Sequence, residues 1–319
     1  MENTEVRGNE VVLDDLLVVS SSPHIRSNET VSRIMLDVII ALVPTSIAAV
    51  YFFGMRALLL IAASVIAAVA SEALIQKLFK KEITIRDLSA VVTGLLLALN
   101  VPVSFPIWKL VVGSVFAIVV VKQFFGGLGS NFMNPALAAR AVLMASFAKD
   151  MGKFTEPLTD MVSMVTPLSG GPTPTEINMF IGNMAGSMGE VSKVALLIGA
   201  AYLVFRKVIS LRIPLVYIAT TLVAVVLFGG SVNDILFHLL TGGLILGAFF
   251  MATDYASAPV TRKGQLVFAF GCGLLTAIIR KFGGYPEGVS FAIIIMNMCV
   301  PLIEKFTSDK TFGSGGGKR

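Results

Sequence analysis

Three side chains at a regular spacing could take part in a covalent modification. Asp160, Ser163 and Thr166 lie three residues apart in a stretch that is rich in hydroxyl groups and turn-forming residues. The hydroxyl of Ser163 or of Thr166 could accept a covalent group if an external enzyme recognised the segment. The same pattern is also typical of a capped surface loop, and the residue types alone favour that interpretation.

A segment rich in glycine and asparagine, at residues 126–136, could approach a planar ligand closely. Glycine lets the backbone come near a bulky ring, and the amides of Asn131 and Asn134 could hydrogen-bond to the ring edge or the phosphate of such a ligand. The segment can equally be a tight turn in which Asn134 caps a helix that begins at Pro135. The two roles are compatible.

Arg140 is the charged residue that lies deepest in an apolar segment. A charge inside a bilayer costs at least about 2.5–3.5 kcal/mol on insertion scales, so it is usually paired or functional. A guanidinium can hold a phosphate or a carboxylate, so a cofactor phosphate and a buried ion pair explain Arg140 equally well. Four acidic residues also lie in apolar segments or at their ends: Asp37, Glu72, Asp254 and Glu287. The first three are expected near the cytoplasmic ends, where water softens the penalty.

The elements that must position these residues follow from an unusually apolar composition. Of 319 residues, 55% are hydrophobic and only 14% are charged, whereas an ordinary soluble domain has about 25% charged residues. This composition excludes a soluble enzyme, a disordered tail and a nucleic-acid-binding module. The net charge of +5 is better explained by basic residues crowded on one side of a membrane than by an acidic partner.

Ten apolar segments are candidates for transmembrane helices, since one span needs about 20 apolar residues. They lie at roughly 33–53, 57–79, 87–101, 106–125, 134–148, 191–206, 213–229, 234–252, 265–281 and 288–305. The third and the fifth are short, and short or broken spans are tolerated only where neighbouring helices shield them. The sequence therefore predicts an all-α integral membrane protein.

Basic residues orient these spans. Most of the 25 lysines and arginines fall on the cytoplasmic side if the N-terminus is cytoplasmic. Lys122 is counted on that side, whereas Arg280 and Lys281 are exceptions on the other side. The predicted regions are a cytoplasmic N-terminal segment, a first membrane repeat, an outer loop, a second membrane repeat and a cytoplasmic tail, at 1–31, 32–148, 149–190, 191–306 and 307–319. Loops as long as 149–190 are usually functional.

The two membrane regions share landmarks. Thr93-Gly94 and Thr241-Gly242 each begin an apolar run, and Gly126-Gly127 and Gly283-Gly284 each precede a loop and then a span. Because each half has five predicted spans, the second half must be inverted relative to the first. Inverted repeats are common in proteins that handle ligands or ions within the membrane, although recurring Gly and Thr are also typical of tight helix packing.

The motif Asp160-x-x-Ser163-x-x-Thr166 resembles the flavinylation motif of the Rnf and Na+-NQR respiratory complexes. Other segments resemble the D subunits of Rnf complexes more than the B subunits of NQR complexes. They are Ser22-Pro23-His24, Ile34-Met35-Leu36-Asp37-Val38, Ala41-Leu42-Val43-Pro44, the run at 126–136, and the run at 182–190. The resemblance extends from about residue 20 to residue 306.

This resemblance implies a membrane electron-transfer subunit in which Thr166 carries FMN through a phosphoester on the outer face. Asp160 and Ser163 would then be recognition residues for a flavin transferase outside the membrane, and Asn131, Asn134 and Arg140 would contact cofactor. Riboflavin is a second cofactor that the resemblance suggests. The chain itself lacks the strand, glycine loop and helix of a dinucleotide site.

The resemblance also implies the setting of the chain. It would have two inverted five-helix repeats, similar in plan to the urea and ammonium channels. It would lie in a prokaryotic cytoplasmic membrane with both termini cytoplasmic, in contact with lipid and with the A, B, C, E and G subunits of an Rnf complex. The complex would couple electron transfer between ferredoxin and NAD+ to translocation of Na+ or H+, and no nucleic acid is involved.

Two other functions remain open at the level of the sequence. A quinone-reducing subunit of the NQR type would share the flavin but have different partners. A channel or secondary transporter without redox chemistry would suit the same helical plan, because fold does not decide function. Such a channel needs no long outer loop and carries no flavin, so Thr166 separates this function from the others.

Overall fold

Helices make up almost all of the regular structure in the computed structural model, which describes residues 30–158, 163–231, 234–283 and 287–308. The motif Ser22-Pro23-His24, most of the predicted N-terminal segment and most of the predicted tail lie outside the described residues. The first half consists of α1 (Val31–Phe53), α2 (Met55–Leu78), α3 (Ser89–Leu99), α4 (Ile107–Phe116) with a π-helical continuation at Ala117–Gln123, and α5 (Pro135–Ser146).

The segment that connects the two halves has structure of its own. It contains α6 (Ala148–Met151), β1 (Phe154–Thr155), β2 (Ser163–Met164), a 3-10 turn (Pro167–Ser169) and α7 (Glu176–Ile181). The two short strands pair antiparallel, with Phe154 opposite Met164. Met151, Met179 and Met188 are buried, so this segment packs onto the protein instead of extending away from it.

The second half is helical as well. It consists of α8 (Lys193–Phe205), α9 (Arg212–Leu227), α10 (Ile235–Leu240), α11 (Leu244–Leu246) with a π-helical continuation at Gly247–Met251, α12 (Arg262–Phe282) and α13 (Val289–Thr307). Within the halves, α2 packs on α3 and α4, and α9 packs on α12, which in turn packs on α13. Between the halves, α1 packs against α8 and α5 against α13.

All of the apolar segments predicted from the sequence contain helix, but the helices differ in length. Among the described residues, α1, α2, α12 and α13 are long and apolar enough to cross a membrane by themselves, while α3, α5, α8 and α9 are apolar and shorter. Helix α3 has nine buried residues among its 11, so its neighbours shield it, as the sequence led us to expect. The structure is that of an all-α membrane protein.

The eighth apolar segment, 234–252, is interrupted, which the apolar pattern did not indicate. Helix α10 ends at Leu240, and α11 begins at Leu244. Between them, Gly242 has a φ of 68°, in the left-handed region that favours glycine. A break in a helix leaves carbonyl groups without their usual partners, and in a membrane protein other groups must supply the donors.

Candidate functional site

Thr166 begins a short, tightly held turn in the connecting segment. It is the residue immediately before the 3-10 turn Pro167–Ser169, and its carbonyl oxygen accepts hydrogen bonds from the amides of Ser169 at 2.9 Å and Gly171 at 3.1 Å. Its Oγ1 lies 3.0 Å from Oγ of Ser169. The side chain is only 6% exposed, so the hydroxyl predicted to be modified has a fixed position.

Glycine at position 171 is required by this turn. A Cβ there would collide with the carbonyl oxygen of Val165 and would lie 3.0 Å from that of Thr166. Gly170 has a φ of 89°, which side-chain-bearing residues rarely adopt. The Ser169-Gly170-Gly171 sequence that follows the threonine is therefore what folds the chain back beneath it.

Thr166 and Arg140, two of the residues singled out in the sequence, line the same cavity of about 230 Å³. Its polar lining comes from Arg140, Thr166, Ser169, Glu287 and Ser290, and its apolar lining includes Met144, Met151, Phe154 and Phe291. Asp160 lies outside the described residues. The backbone of Ser163 lies in β2, opposite Thr155.

Arg140 is held in a buried ion cluster. Its Nη2 pairs with the carboxylate of Glu287 and lies 3.5 Å from Oε1 of Glu190. Its Nη1 donates to Oγ of Ser290 at 2.7 Å and to Oδ1 of Asn100 at 3.3 Å. Of the two interpretations left open by the sequence, a buried ion pair is therefore present. The Nε of Arg140 has no acceptor among the described residues.

Two more cations, the buried Lys193 and the partly buried Arg280, extend this cluster to the break between α10 and α11. Lys193 Nζ donates to the carbonyl oxygen of Glu190 and, at 3.2 Å, to that of Gly242. Arg280 donates to the carbonyl oxygens of His238 at 2.7 Å and Thr241 at 3.3 Å. These donors satisfy the carbonyl groups that the break exposes.

The position of Arg280 corrects the charge count made from the sequence. Arg280 was treated there as a loop charge on the unfavourable side of the membrane. In the structure its guanidinium bonds to backbone oxygens, including that of Glu287 at 3.4 Å. Lys281, the next residue, is exposed. The positive-inside rule concerns charges in loops, so Arg280 does not belong in the count.

Asn131 and Asn134 line a second, smaller cavity of about 70 Å³, together with Ser89, Lys122 and Asp254. Asn134 caps α5, because its side chain accepts from the amides of Ala136 and Leu137, as the sequence predicted. Within the part of the chain that the structure describes, Oδ1 of Asn131 is buried without a hydrogen-bond partner. Buried polar atoms are nearly always hydrogen-bonded in native proteins, so this oxygen calls for a partner such as a water molecule or a ligand.

Lys122 and Glu72 form a buried ion pair that sequence reasoning missed. Lys122 Nζ donates to Glu72 Oε1 at 2.6 Å and to Ser89 Oγ at 2.6 Å. Both ionic side chains are almost fully buried. Glu72 was expected to lie where water softens the cost of its charge, and this is wrong, because its side chain is fully buried. Lys122 was counted among the cytoplasmic charges, and its burial against Glu72 was not anticipated. The sequence signal that could have revealed this pair is the acidic Glu72 inside α2 together with the basic Lys122 near the end of the apolar segment 106–125.

Asp37 also has a protein partner rather than water alone. Its carboxylate accepts from Tyr202 Oη at 2.7 Å and pairs with Arg206 at 3.2 Å. This cluster links α1 to α8. Glu190 and Lys193, the latter being the first residue of α8, were likewise not recognised as a site from the sequence.

Comparison with known proteins gives a consistent result. A family model described as the NQR2, RnfD, RnfE family matches residues 18–313. The D subunit of the Na+-translocating ferredoxin:NAD+ oxidoreductase complex of Acetobacterium woodii is 53% identical over 306 residues, which cover 93% of this chain and 95% of the relative. The D subunit of the proton-translocating complex of Clostridium ljungdahlii is 42% identical, covering 94% and 97%.

A more distant relative is also named as the D subunit of a complex. The D subunit of an ion-translocating oxidoreductase complex of Vibrio cholerae is 36% identical over 344 residues, covering 92% of this chain and 99% of the relative. The match therefore includes both helical halves and the connecting segment with Thr166. The chain belongs to the NQR2, RnfD, RnfE family.

Proposed function

We propose that this chain is the D subunit of an Rnf complex, which couples electron transfer between ferredoxin and NAD+ to translocation of Na+ or H+. The functions for which its relatives are named support this assignment. The chain would carry FMN on Thr166 and pass electrons within the complex, and it would not be catalytic alone. The observation that best supports the flavin is the cavity that joins the hydroxyl-bearing Thr166 to Arg140.

The residues around Thr166 fit a flavin phosphate in part. A phosphoester at Oγ1 would begin at the wall of the cavity that Arg140 also lines. The Nε–H of Arg140 lacks an acceptor among the described residues, and a guanidinium N–H can donate to a phosphate oxygen. The apolar lining suits a flavin ring. However, typical ligand pockets measure about 300–1,000 Å³, so a cavity of about 230 Å³ would enclose only part of FMN. When bound, FMN supplies the electron-transfer chemistry, and the chain orients it and excludes water.

Riboflavin is proposed as a second cofactor at the cavity of Asn131 and Asn134. The support is the unpartnered Oδ1 of Asn131, which could accept a hydrogen bond from a flavin ring. A volume of about 70 Å³ is too small for the ring, so the lining must open to admit it. Asn131→Leu should reduce the non-covalent flavin that is released on denaturation, and an unchanged amount would contradict this site.

We further propose ten membrane crossings arranged as two inverted five-helix repeats, with both termini in the cytoplasm of a prokaryotic cell. The contacts of α1 with α8 and of α5 with α13 support this plan, because a two-fold axis would bring equivalent helices together. The segment at 149–190 would then face the outside, where a flavin transferase could recognise Asp160 and Ser163.

The proposed surroundings follow from membership of the complex. The A, B, C, E and G subunits of Rnf would be partners, and lipid would cover apolar side chains that are exposed on the long helices, such as Ile47, Ile66 and Leu74. Large exposed apolar surfaces of this kind are expected where protein meets membrane.

In-gel fluorescence tests the flavin site. The protein would be produced with a flavin transferase active outside the membrane, run on a denaturing gel and viewed under ultraviolet light. We expect a fluorescent wild-type band and a dark Thr166→Val band. Thr155→Val is the matched control, because Thr155 is a nearby hydroxyl in β1, and its band should stay fluorescent. A fluorescent Thr166→Val band would contradict the site.

A further inference from the structure

Five charged side chains lie together beside the Thr166 cavity. Three are cations and two are carboxylates, giving a formal charge of +1: Arg140, Lys193, Arg280, Glu190 and Glu287. Arg140, Glu190 and Lys193 are each at most 2% exposed. Charges in such surroundings act on each other and on any bound group far more strongly than in water.

Glu287 is the carboxylate of this cluster that lines the cavity with Thr166. It is 8% exposed, and its carboxylate pairs with Nη2 of Arg140. Its backbone oxygen accepts from Arg280, which helps to fix the segment just before α13. Glu287 therefore places a negative charge at the wall of the proposed flavin site.

Glu190 reaches the same cavity only through Arg140. Its Oε1 lies 3.5 Å from Nη2 of Arg140, and Glu190 does not line the cavity. Asn100 has a similar indirect position, because its Oδ1 accepts from Nη1 of Arg140 at 3.3 Å. The two carboxylates around this guanidinium thus set the net charge that the cavity experiences.

We propose that Glu287 and Glu190 set the reduction potential of a flavin bound at Thr166, Glu287 directly from the cavity wall and Glu190 by offsetting the charge of Arg140. This assignment deepens the proposed function and rests on it. Reduction adds negative charge to a flavin, so a nearby carboxylate disfavours the reduced form and holds the potential low. Glu190 and Asn100 are positioning residues here, because they act through Arg140.

The experiment is a potentiometric titration of the covalently bound flavin in the purified full-length protein. Glu287→Gln removes the nearer negative charge, and Glu190→Gln removes the more distant one. Asn100→Asp places a negative charge next to the guanidinium of Arg140 with almost no change in side-chain size. Glu176→Gln is the control, since Glu176 is an exposed carboxylate at the start of α7 and water screens its charge.

We expect Glu287→Gln to raise the midpoint potential by at least about 30 mV for a two-electron couple. This shift corresponds to a tenfold change in the ratio of oxidised to reduced flavin at a given potential. Glu190→Gln should raise it by less, Asn100→Asp should lower it, and Glu176→Gln should leave it unchanged. This reversal of sign separates an electrostatic effect from general loosening of the site.

The outcomes separate this inference from the proposed function. A covalent flavin whose potential is the same in all the variants would overturn the role of the two carboxylates and leave the role of Thr166 intact. A wild-type protein without covalent flavin would overturn both. If Glu287→Gln does not accumulate, shifts of opposite sign in Glu190→Gln and Asn100→Asp support the inference, and shifts of the same sign overturn it.

Discussion

Replacing Arg280 should destabilise the protein because the interrupted segment would lose its donors. Arg280→Met removes hydrogen bonds to the carbonyl oxygens of His238 at 2.7 Å and Thr241 at 3.3 Å. Hydrogen bonds to a charged group contribute about 1.5–3 kcal/mol each. Because Arg280 is only partly buried, we expect the low end, a loss of about 3 kcal/mol in the free energy of unfolding for the pair.

A thiol-labelling assay can measure this loss. The chain has two cysteines, and Cys272 is buried within α12, the helix that carries Arg280. In a Cys299→Ser background, labelling of Cys272 on heating reports unfolding of this helix. An unfolding entropy of about 2.1 cal/mol/K per residue gives a shift of about 1.5 °C per kcal/mol for a chain of 319 residues. Arg280→Met should therefore lower the unfolding temperature by roughly 4–5 °C.

The adjacent residue supplies the control. Lys281 is exposed, and surface substitutions usually change stability by no more than about 0.5 kcal/mol, so Lys281→Met should unfold close to the parent. If Arg280→Met unfolds at the same temperature as Lys281→Met, Arg280 does not hold the break between α10 and α11, and the account given for it is refuted.

Three further predictions concern other parts of the protein. Gly171→Ala should speed amide hydrogen exchange at Ser169, because its Cβ would collide with the carbonyl oxygen of Val165 and open the turn; unchanged exchange would contradict this. Lys122→Met should cost about 3–5 kcal/mol, because it leaves Glu72 buried and unpaired, and thermal unfolding should show most of that loss recovered in the double variant with Glu72→Gln. The hydrogen bond from Lys109 lowers the pKa of Asp150, so its contribution to stability is present above the usual Asp value of about 3.9 and is lost as the pH falls below it. Asp150→Asn should show a smaller loss of thermal stability on acidification than the wild type, and an equal loss would contradict the role of this pair.

Local chemistry was readable from the sequence where neighbouring residues decide it. Asn134 and Pro135 predict a capped helix start, and α5 begins there. The hydroxyl-rich, glycine-rich stretch after Thr166 predicts a turn, and Pro167–Ser169 form one. Apolar runs predict helices because burial of apolar side chains is the dominant signal along this chain.

Long-range pairing was not readable in the same way. Arg140 and Glu287 are far apart in sequence, and no spacing rule joins them, although each was marked as a costly charge. Arg280 and Lys122 were each counted as a charge on one side of the membrane, because a charge count uses position along the chain alone and does not show buried acceptors. The interruption after Leu240 was not predicted, although Thr241-Gly242-Gly243 lies there, because small residues are also common within packed membrane helices. The donors that permit the interruption come from Lys193 and Arg280.

The most direct test of the central claim is to locate the flavin on the chain by mass. Trypsin should release one peptide that begins after Lys153 and ends at Lys193, since no lysine or arginine lies between them. We predict that this peptide from transferase-expressing cells carries the mass of one FMN less one water, and that fragmentation places it on Thr166. An unmodified peptide, or FMN on another hydroxyl such as Ser163, would contradict the account.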